Sequence, residues 1–193
     1  MYHKEGVHMK KPLLFARELV CSALKAGGLA VDATCGNGHD TVFLAQQAGE
    51  QGTVLAFDIQ PEALSNTRRR LEDAGFSDRV TLIAQGHEHL TEHMHGRNAD
   101  AVMFNLGYLP GGNHAVVTKA ETTKAAILAA VGILNHGGII TIMVYTGHPG
   151  GKEEYQAVRE TAAVLPQREF WVLEYKFLNQ QNDPPLLVAI TRL

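Results

Sequence analysis

The stretch with the clearest capacity for chemistry is Asn105-Leu106-Gly107-Tyr108. An amide oxygen and the backbone carbonyl beside it can accept the N–H bonds of an amine and aim its lone pair. Tyr108 can stack on a planar base, close a pocket, or simply pack. His148, in Thr146-Gly-His-Pro-Gly-Gly151, is either a proton acceptor for an ammonium group or a structural loop histidine. A second stretch, Leu29-Ala-Val-Asp-Ala-Thr-Cys-Gly-Asn-Gly-His-Asp-Thr41, reads as a buried strand over 29–33, a glycine turn over 34–38 and a helix start. Gly36 and Gly38 let the backbone turn sharply and approach a ligand, and the helix N-terminus offers free N–H groups.

A dinucleotide site prefers three glycines as G-x-G-x-x-G, and here Thr41 holds the third place. Asp32, at the end of the strand, suits a cationic or amine-bearing ligand better than a pyrophosphate. Asp58 ends the next strand, about twenty residues beyond Gly36, where a carboxylate can accept both hydroxyls of a ribose. Val31-Asp-Ala-Thr-Cys-Gly-Asn-Gly38 resembles the first motif of class I S-adenosylmethionine (SAM)-dependent methyltransferases. An NAD(P)-dependent oxidoreductase and a non-catalytic SAM-binding domain are the competing readings.

The elements that position these residues follow from periodicity and punctuation. Apolar residues at helical spacing predict a helix over Pro12–Ala26, stopped by Gly27-Gly28. Helices follow over 40–48, 61–74 (opened by Pro61), 118–135 and 152–165. Buried strands are expected over 53–58, 79–84, 100–105 and 139–145. The tail differs: 170–178 and 186–192 are strands with no helix between them, which predicts an antiparallel hairpin at one sheet edge. The expected fold is α/β and Rossmann-like: a seven-stranded, mostly parallel sheet with helices on both faces and that C-terminal hairpin. The chain of 193 residues reads as one domain, with 1–11 polar and flexible.

Composition narrows the class. With 45% hydrophobic and 19% charged residues the chain reads as globular, and no apolar run reaches membrane-spanning length. Arg17 and Glu18 interrupt the first apolar segment, so it does not read as a signal peptide. Cys21 and Cys35 form neither a disulfide framework nor a metal site and suit a reducing cytoplasm. A net charge of −3 does not announce nucleic acid. Arg68-Arg69-Arg70 reads either as a solvated helix face or as a phosphate contact. His87, His89, His93 and His95 lack the cysteines or carboxylates that would complete a metal shell, and no metal is expected.

Phe104-Asn-Leu-Gly-Tyr-Leu-Pro110, Val117-Thr-Lys119, Tyr145-Thr-Gly-His148 and Phe177-Leu-Asn-Gln180 through Pro185 together resemble the YtqB/MnmM family, small bacterial proteins long labelled rRNA methylases. The resemblance runs from about Leu13 to Ile190. Many amino-methyltransferases carry two prolines between the Asn and the aromatic residue; here Leu106-Gly107 stands there, which weakens the case for a planar base nitrogen and favours an aliphatic amine.

The resemblance implies SAM-dependent N-methylation of 5-aminomethyl-(2-thio)uridine at the tRNA wobble position, with S-adenosylhomocysteine (SAH) as by-product and the anticodon region of tRNA as partner. It implies a cofactor side of Asp32, Gly36, Asn37, Gly38, Asp58, Gln60, His87 and Asn105, with His87 or Glu88 facing the adenine. It places Asn105, the Leu106 backbone and Tyr108 around the amine, and Tyr145, His148 and the 179–185 loop around the nucleotide. Asn179, Gln180 and Asn182 either recognise the nucleotide or cap a hairpin turn. Lys119 and Lys124 either meet phosphates or stand as solvated helix lysines. Ribosomal RNA or a small-molecule amine is the alternative substrate, and the exposed edge hairpin suits a homodimer.

Overall fold

The computed structural model describes residues 9–193. The expected flexible segment therefore lies outside the described residues up to residue 8. At its inner end Lys10 is tied down: its ammonium pairs with Glu18 at 2.6 Å and its carbonyl accepts the Tyr175 hydroxyl at 2.9 Å.

Seven strands form one sheet: β1 (Leu29–Asp32), β2 (Thr53–Phe57), β3 (Val80–Ile83), β4 (Ala99–Asn105), β5 (Leu134–Val144), β6 (Phe170–Tyr175) and β7 (Leu186–Arg192). Their order is β3-β2-β1-β4-β5-β7-β6. The first five are parallel, and β7 runs antiparallel between β5 and β6. Every residue of β1 is buried, as a strand covered on both faces requires. Helices α1 (Pro12–Ala23) and α2 (His39–Ala48) cover one face through Ala16, Val20, Leu44 and Ala48. On the same side α3 (Pro61–Ala74) packs against α2. Helices α4 (Ala120–Ile133) and α5 (Gly151–Ala163) cover the other face through Ala126, Ile127, Ala130 and Val158.

Strand order reverses between β1 and β4, so their carboxyl ends diverge and leave a crevice. The register sets Asp32 beside Met103, which puts the glycine turn after β1 next to Asn105 at the end of β4. Leu186 pairs with Val144, so the turn joining β6 to β7 reaches the same edge beside Tyr145. The resemblance-derived residues after β1, β4 and β5 and those of the β6–β7 turn thus share one edge of the sheet.

Several boundaries differ from expectation for local reasons. Helix α1 stops at Ala23, not Ala26, because Leu24 leaves helical geometry (φ −77°, ψ 111°) and Gly27 turns left-handed at φ 82°. Helix α4 begins at Ala120 rather than Thr118, whose N–H is instead taken by the Gly107 carbonyl. Strand β5 starts at Leu134, before Gly137-Gly138, through an irregularity opposite Ala99–Ala101. Strand β6 stops at Tyr175 rather than Leu178.

Candidate active site

The two glycines of the turn after β1 answer different demands. Gly38 has φ 80°, and a Cβ there would lie 2.8 Å from Thr67 Cα, so its bareness serves contact with α3. Gly36 has φ 51°, and a Cβ there would meet nothing closer than the Leu109 side chain at 3.6 Å. Asn37, expected on the cofactor side, is a bracket: its Nδ2 donates to the Pro110 carbonyl and its Oδ1 accepts from Asn66, both at 3.0 Å. Its own carbonyl accepts Arg70 Nε at 2.7 Å. The turn is thereby tied both to α3 and to the loop that follows β4.

The two strand-end carboxylates also differ. Asp32 is fully buried, with Oδ2 accepting the Thr41 hydroxyl at 2.6 Å and Oδ1 accepting the Thr34 N–H at 3.2 Å. Burial, with the Asp40 charge adding to it, pushes its pKa up to about 7. It is enclosed and shapes the turn, joining β1 to the start of α2. Asp58 sits half-buried at the edge, accepting the Gly36 N–H at 3.0 Å and the Gln60 N–H at 2.9 Å. Burial holds its carboxyl above the usual range. Gln60 is half-buried beside it. Between them Ile59 is 61% exposed, an apolar side chain standing at the crevice edge. Sequence reasoning missed it, although an apolar residue just after a strand-end carboxylate was a readable signal. His87 is buried, its ring edge-on to Phe104 at 5.7 Å, and its Nε2 has no partner. Burial lowers its pKa, which keeps the ring neutral.

Asn105 is held at its backbone and at its side chain. Its N–H donates to the Thr34 hydroxyl at 2.7 Å, and its Nδ2 donates to Asp40 Oδ2 at 2.7 Å. Asp40 Oδ1 in turn accepts Arg17 Nε at 2.8 Å and Nη2 at 2.6 Å. The Arg17 guanidinium also lies over the Phe43 ring, 5.2 Å from its centroid. Neither Arg17 nor Asp40 was singled out from the sequence. They lie in different helices, far from Asn105 along the chain, and no local spacing announces them.

The loop after β4 is braced from below. Leu106 is buried, and its N–H donates to the Met143 carbonyl at 2.9 Å. Gly107 has φ 138°, and its N–H donates to the Thr118 hydroxyl at 2.8 Å. Thr118 passes its own proton to Glu154 at 2.8 Å, and Thr123 donates to the other carboxylate oxygen at 2.6 Å. Glu154, 1% exposed, is thus the buried anchor of the loop, another residue the sequence did not announce. Tyr108 is 41% exposed, with one side against His114 at 4.1 Å between ring centroids and an edge-on contact to His148 at 6.2 Å.

His148 Nδ1 lies 3.0 Å from the Pro149 carbonyl. A carbonyl only accepts, so the proton sits on Nδ1 and the lone pair on Nε2. That Nε2 is buried without a partner, 3.6 Å from where a Cβ on Gly107 would stand. Tyr145 lies at the same edge, its phenol pushed above its ordinary value first by burial and then by the Asp40 charge. Lys119 is exposed in the residue preceding α4, and Lys124 is exposed along it. Asn179, Gln180 and Asn182 are exposed in the β6–β7 turn, Asn182 with φ 64°. Among the described residues none of these three side chains caps the turn. The histidine run does not converge: His89 pairs with Glu92 at 2.8 Å, His93 bonds Gln85, and His87 is buried elsewhere. Among the described residues no three His, Cys, Asp or Glu side chains form a metal cluster, and no helix is long and apolar enough to cross a membrane.

A doubly wound sheet with a glycine turn after β1, a carboxylate after β2 and a polar loop after β4 defines the class I methyltransferase fold. The family model described as "Putative rRNA methylase" matches residues 54–191, and the chain belongs to that family. A Clostridium thermocellum structure, described as a "putative rRNA-methylase", is 43% identical, covers 97% of this chain and 100% of its own, and superposes with a TM-score of 0.94. A Streptococcus mutans structure, described as "a putative methyltransferase … in complex with SAH", is 38% identical, covers 96% and 100%, and gives 0.88. The curated tRNA (mnm(5)s(2)U34)-methyltransferase of Arabidopsis thaliana chloroplasts is 36% identical over 178 residues, 88% of this chain. The chain spans 65% of the length of that plant relative.

Proposed function

We propose that this chain is a SAM-dependent N-methyltransferase that converts 5-aminomethyl-(2-thio)uridine to 5-methylaminomethyl-(2-thio)uridine at the wobble position of tRNA. The observation that carries it is the Asn105 amide. Its nitrogen is spent on Asp40, which leaves its oxygen as an acceptor at the end of β4, and the loop after it brings Gly107 up to the unpartnered Nε2 of His148. That is an acceptor pair for an amine. The name of the 36% identical plant relative supplies the substrate class, and the S. mutans structure with SAH supports the cofactor.

The residues present fit that cofactor. Asp58 offers a carboxylate at the crevice edge for a ribose diol, Ile59 an apolar surface for a purine, and the bare Gly36 room for close approach. The unpartnered Nε2 of His87 is a buried polar atom that a purine edge can satisfy. When bound, SAM supplies an electrophilic methyl group on a sulfonium and leaves as SAH. The protein's part is positional: Asn105 Oδ1 accepts an N–H of the amine, and His148 Nε2 takes up the proton that an ammonium must lose. Tyr108 and Tyr145 flank the nucleotide. Lys119 and the Asn179, Gln180 and Asn182 turn lie at the same edge, where the anticodon loop would rest.

The same proposal places the protein in a reducing cytoplasm, with Cys21 and Cys35 as free thiols. It also has two copies meeting along β6, where Trp171, Val172 and Leu173 are exposed; light scattering reads that directly.

The test is single-turnover methylation of tRNA carrying 5-aminomethyl-2-thiouridine by the purified protein and SAM, read by nucleoside mass spectrometry. One added methyl on that nucleoside is the expected result. A methyl that appears instead only on rRNA or a free amine would refute the wobble assignment.

A further inference from the structure

The bonds around Asn105 have a forced polarity. A guanidinium can only donate and an ionised carboxylate can only accept, so the order Arg17 to Asp40 to Asn105 leaves one way round for the amide. Arg17 occupies Oδ1 of Asp40 with two donors, at 2.8 and 2.6 Å. The remaining oxygen, Oδ2, lies 2.7 Å from the Asn105 amide and can be met only by Nδ2. The Thr34 hydroxyl fixes the backbone beneath it by accepting the Asn105 N–H at 2.7 Å. The amide therefore cannot turn over without losing a charge-assisted bond and setting its oxygen against a carboxylate.

We infer that Arg17 and Asp40 are positioning residues that lock the Asn105 amide with its oxygen toward the crevice, and so restrict the nucleophile to a group that still carries a hydrogen to donate. This builds on the amine-methylating assignment above and goes beyond it, because it names what makes the site demand a hydrogen donor on the nucleophile. A neutral or charged amine offers the hydrogen that Oδ1 needs. A group with lone pairs alone would face an acceptor and leave it unsatisfied, which is a strong basis for rejection. Arg17 is itself carried by α1, and the Phe43 ring of α2 covers one face of the guanidinium. Helix α1, outside the glycine turn and outside β4, thus reaches the reacting group through one carboxylate.

The test is a polarity swap. In Asp40→Asn, Arg17 keeps the oxygen of the new amide, whose nitrogen then faces Asn105. Asn105 must turn over and present donors to the amine. Turnover number should fall about 10²–10³-fold while SAH binding, measured by calorimetry, stays within about threefold. Asn105→Asp alone sets two carboxylates against each other and should be equally impaired. In the double variant, the amide at position 40 donates to the carboxylate at position 105, and an acceptor faces the crevice again. It should recover to within about tenfold of wild type. Recovery of turnover number rather than of KM marks orientation as what was restored.

A double variant no better than the worse single, or an Asp40→Asn enzyme of normal turnover, would overturn the inference. Melting of the four proteins reads the same pairing without turnover. Asn105→Asp should lower the melting temperature in the wild-type background and not in the Asp40→Asn background; equal losses in both would overturn it. A wild-type protein that binds SAH but leaves aminomethyl-tRNA unmethylated would retire the substrate assignment alone, since melting still tests the pairing.

Discussion

The Thr41 hydroxyl donates to Asp32 Oδ2 at 2.6 Å, joining the first turn of α2 to the last residue of β1 across the glycine turn. Asp32 has no exposure, and its pKa stands near 7 because burial disfavours its charge. The folded state therefore holds a proton that the unfolded chain, with an ordinary carboxylate, releases near pH 4. Stability from this group is fully present below about pH 4 and is lost as pH rises through about 7. Asp32→Asn keeps an acceptor for the Thr34 N–H and removes that titration. Relative to wild type, the variant should gain up to about 4 kcal/mol between pH 4 and pH 8. Urea unfolding across that range checks it; a constant difference between the two proteins would show that Asp32 does not titrate on unfolding.

Gly38 is the glycine whose bareness is structurally compulsory. It combines φ 80° with an approach to Thr67 Cα that a Cβ would bring to 2.8 Å. Gly38→Ala should lose about 2–4 kcal/mol of stability. Gly36→Ala meets no atom closer than 3.6 Å and carries only the backbone strain of φ 51°, so its loss should be near the lower end, about 1 kcal/mol. Chemical denaturation of the two variants gives the order, and a Gly36 variant weaker than the Gly38 one would reverse it.

What was legible in the sequence was whatever is punctuated locally. Helix α3 runs from Pro61 to Ala74 as expected, because Pro61 opens it and Gly75 closes it in left-handed geometry at φ 73°. The parallel strands and the terminal hairpin followed from apolar runs and from the missing helix between β6 and β7. The bound of α4 failed where a tertiary bond, Thr118 to Gly107, outbid helical periodicity, and that of α1 where Leu24 leaves helical geometry. The candidate site was readable only as single strand ends, with Asp32, Asp58 and Asn105 named from position and His148 through the resemblance. Their division of labour was not, because it depends on burial. Asp32 turned inward, and Gly38 and Asn37 proved to be clamps on α3 and on the Pro110 loop. Arg17, Asp40 and Glu154 were invisible for the same reason, since each acts on a residue far along the chain.

Asn105→Ala removes the acceptor without touching the glycine turn. Methylation should fall about 10²–10³-fold, with SAH affinity changed by less than about fivefold. Stopped single-turnover assays and calorimetry on one preparation separate the two. Loss of SAH binding in parallel with methylation would make Asn105 a cofactor residue instead.

His148 is expected to matter most when the amine carries its extra proton. His148→Gln should lower kcat/KM about 10–100-fold near pH 7, and the gap should close as pH rises above about 9, where more of the amine is already neutral. A pH-rate profile of both enzymes reads this. A gap that is the same at every pH would assign His148 to packing against Tyr108 and Gly107.

Nucleoside mass spectrometry of bulk tRNA from cells lacking this gene tests the central claim most directly. Loss of 5-methylaminomethyl-2-thiouridine with accumulation of its 5-aminomethyl precursor, restored by the wild-type gene and not by Asn105→Ala, is the predicted result. Unchanged levels of both nucleosides would contradict a wobble-uridine amine methyltransferase.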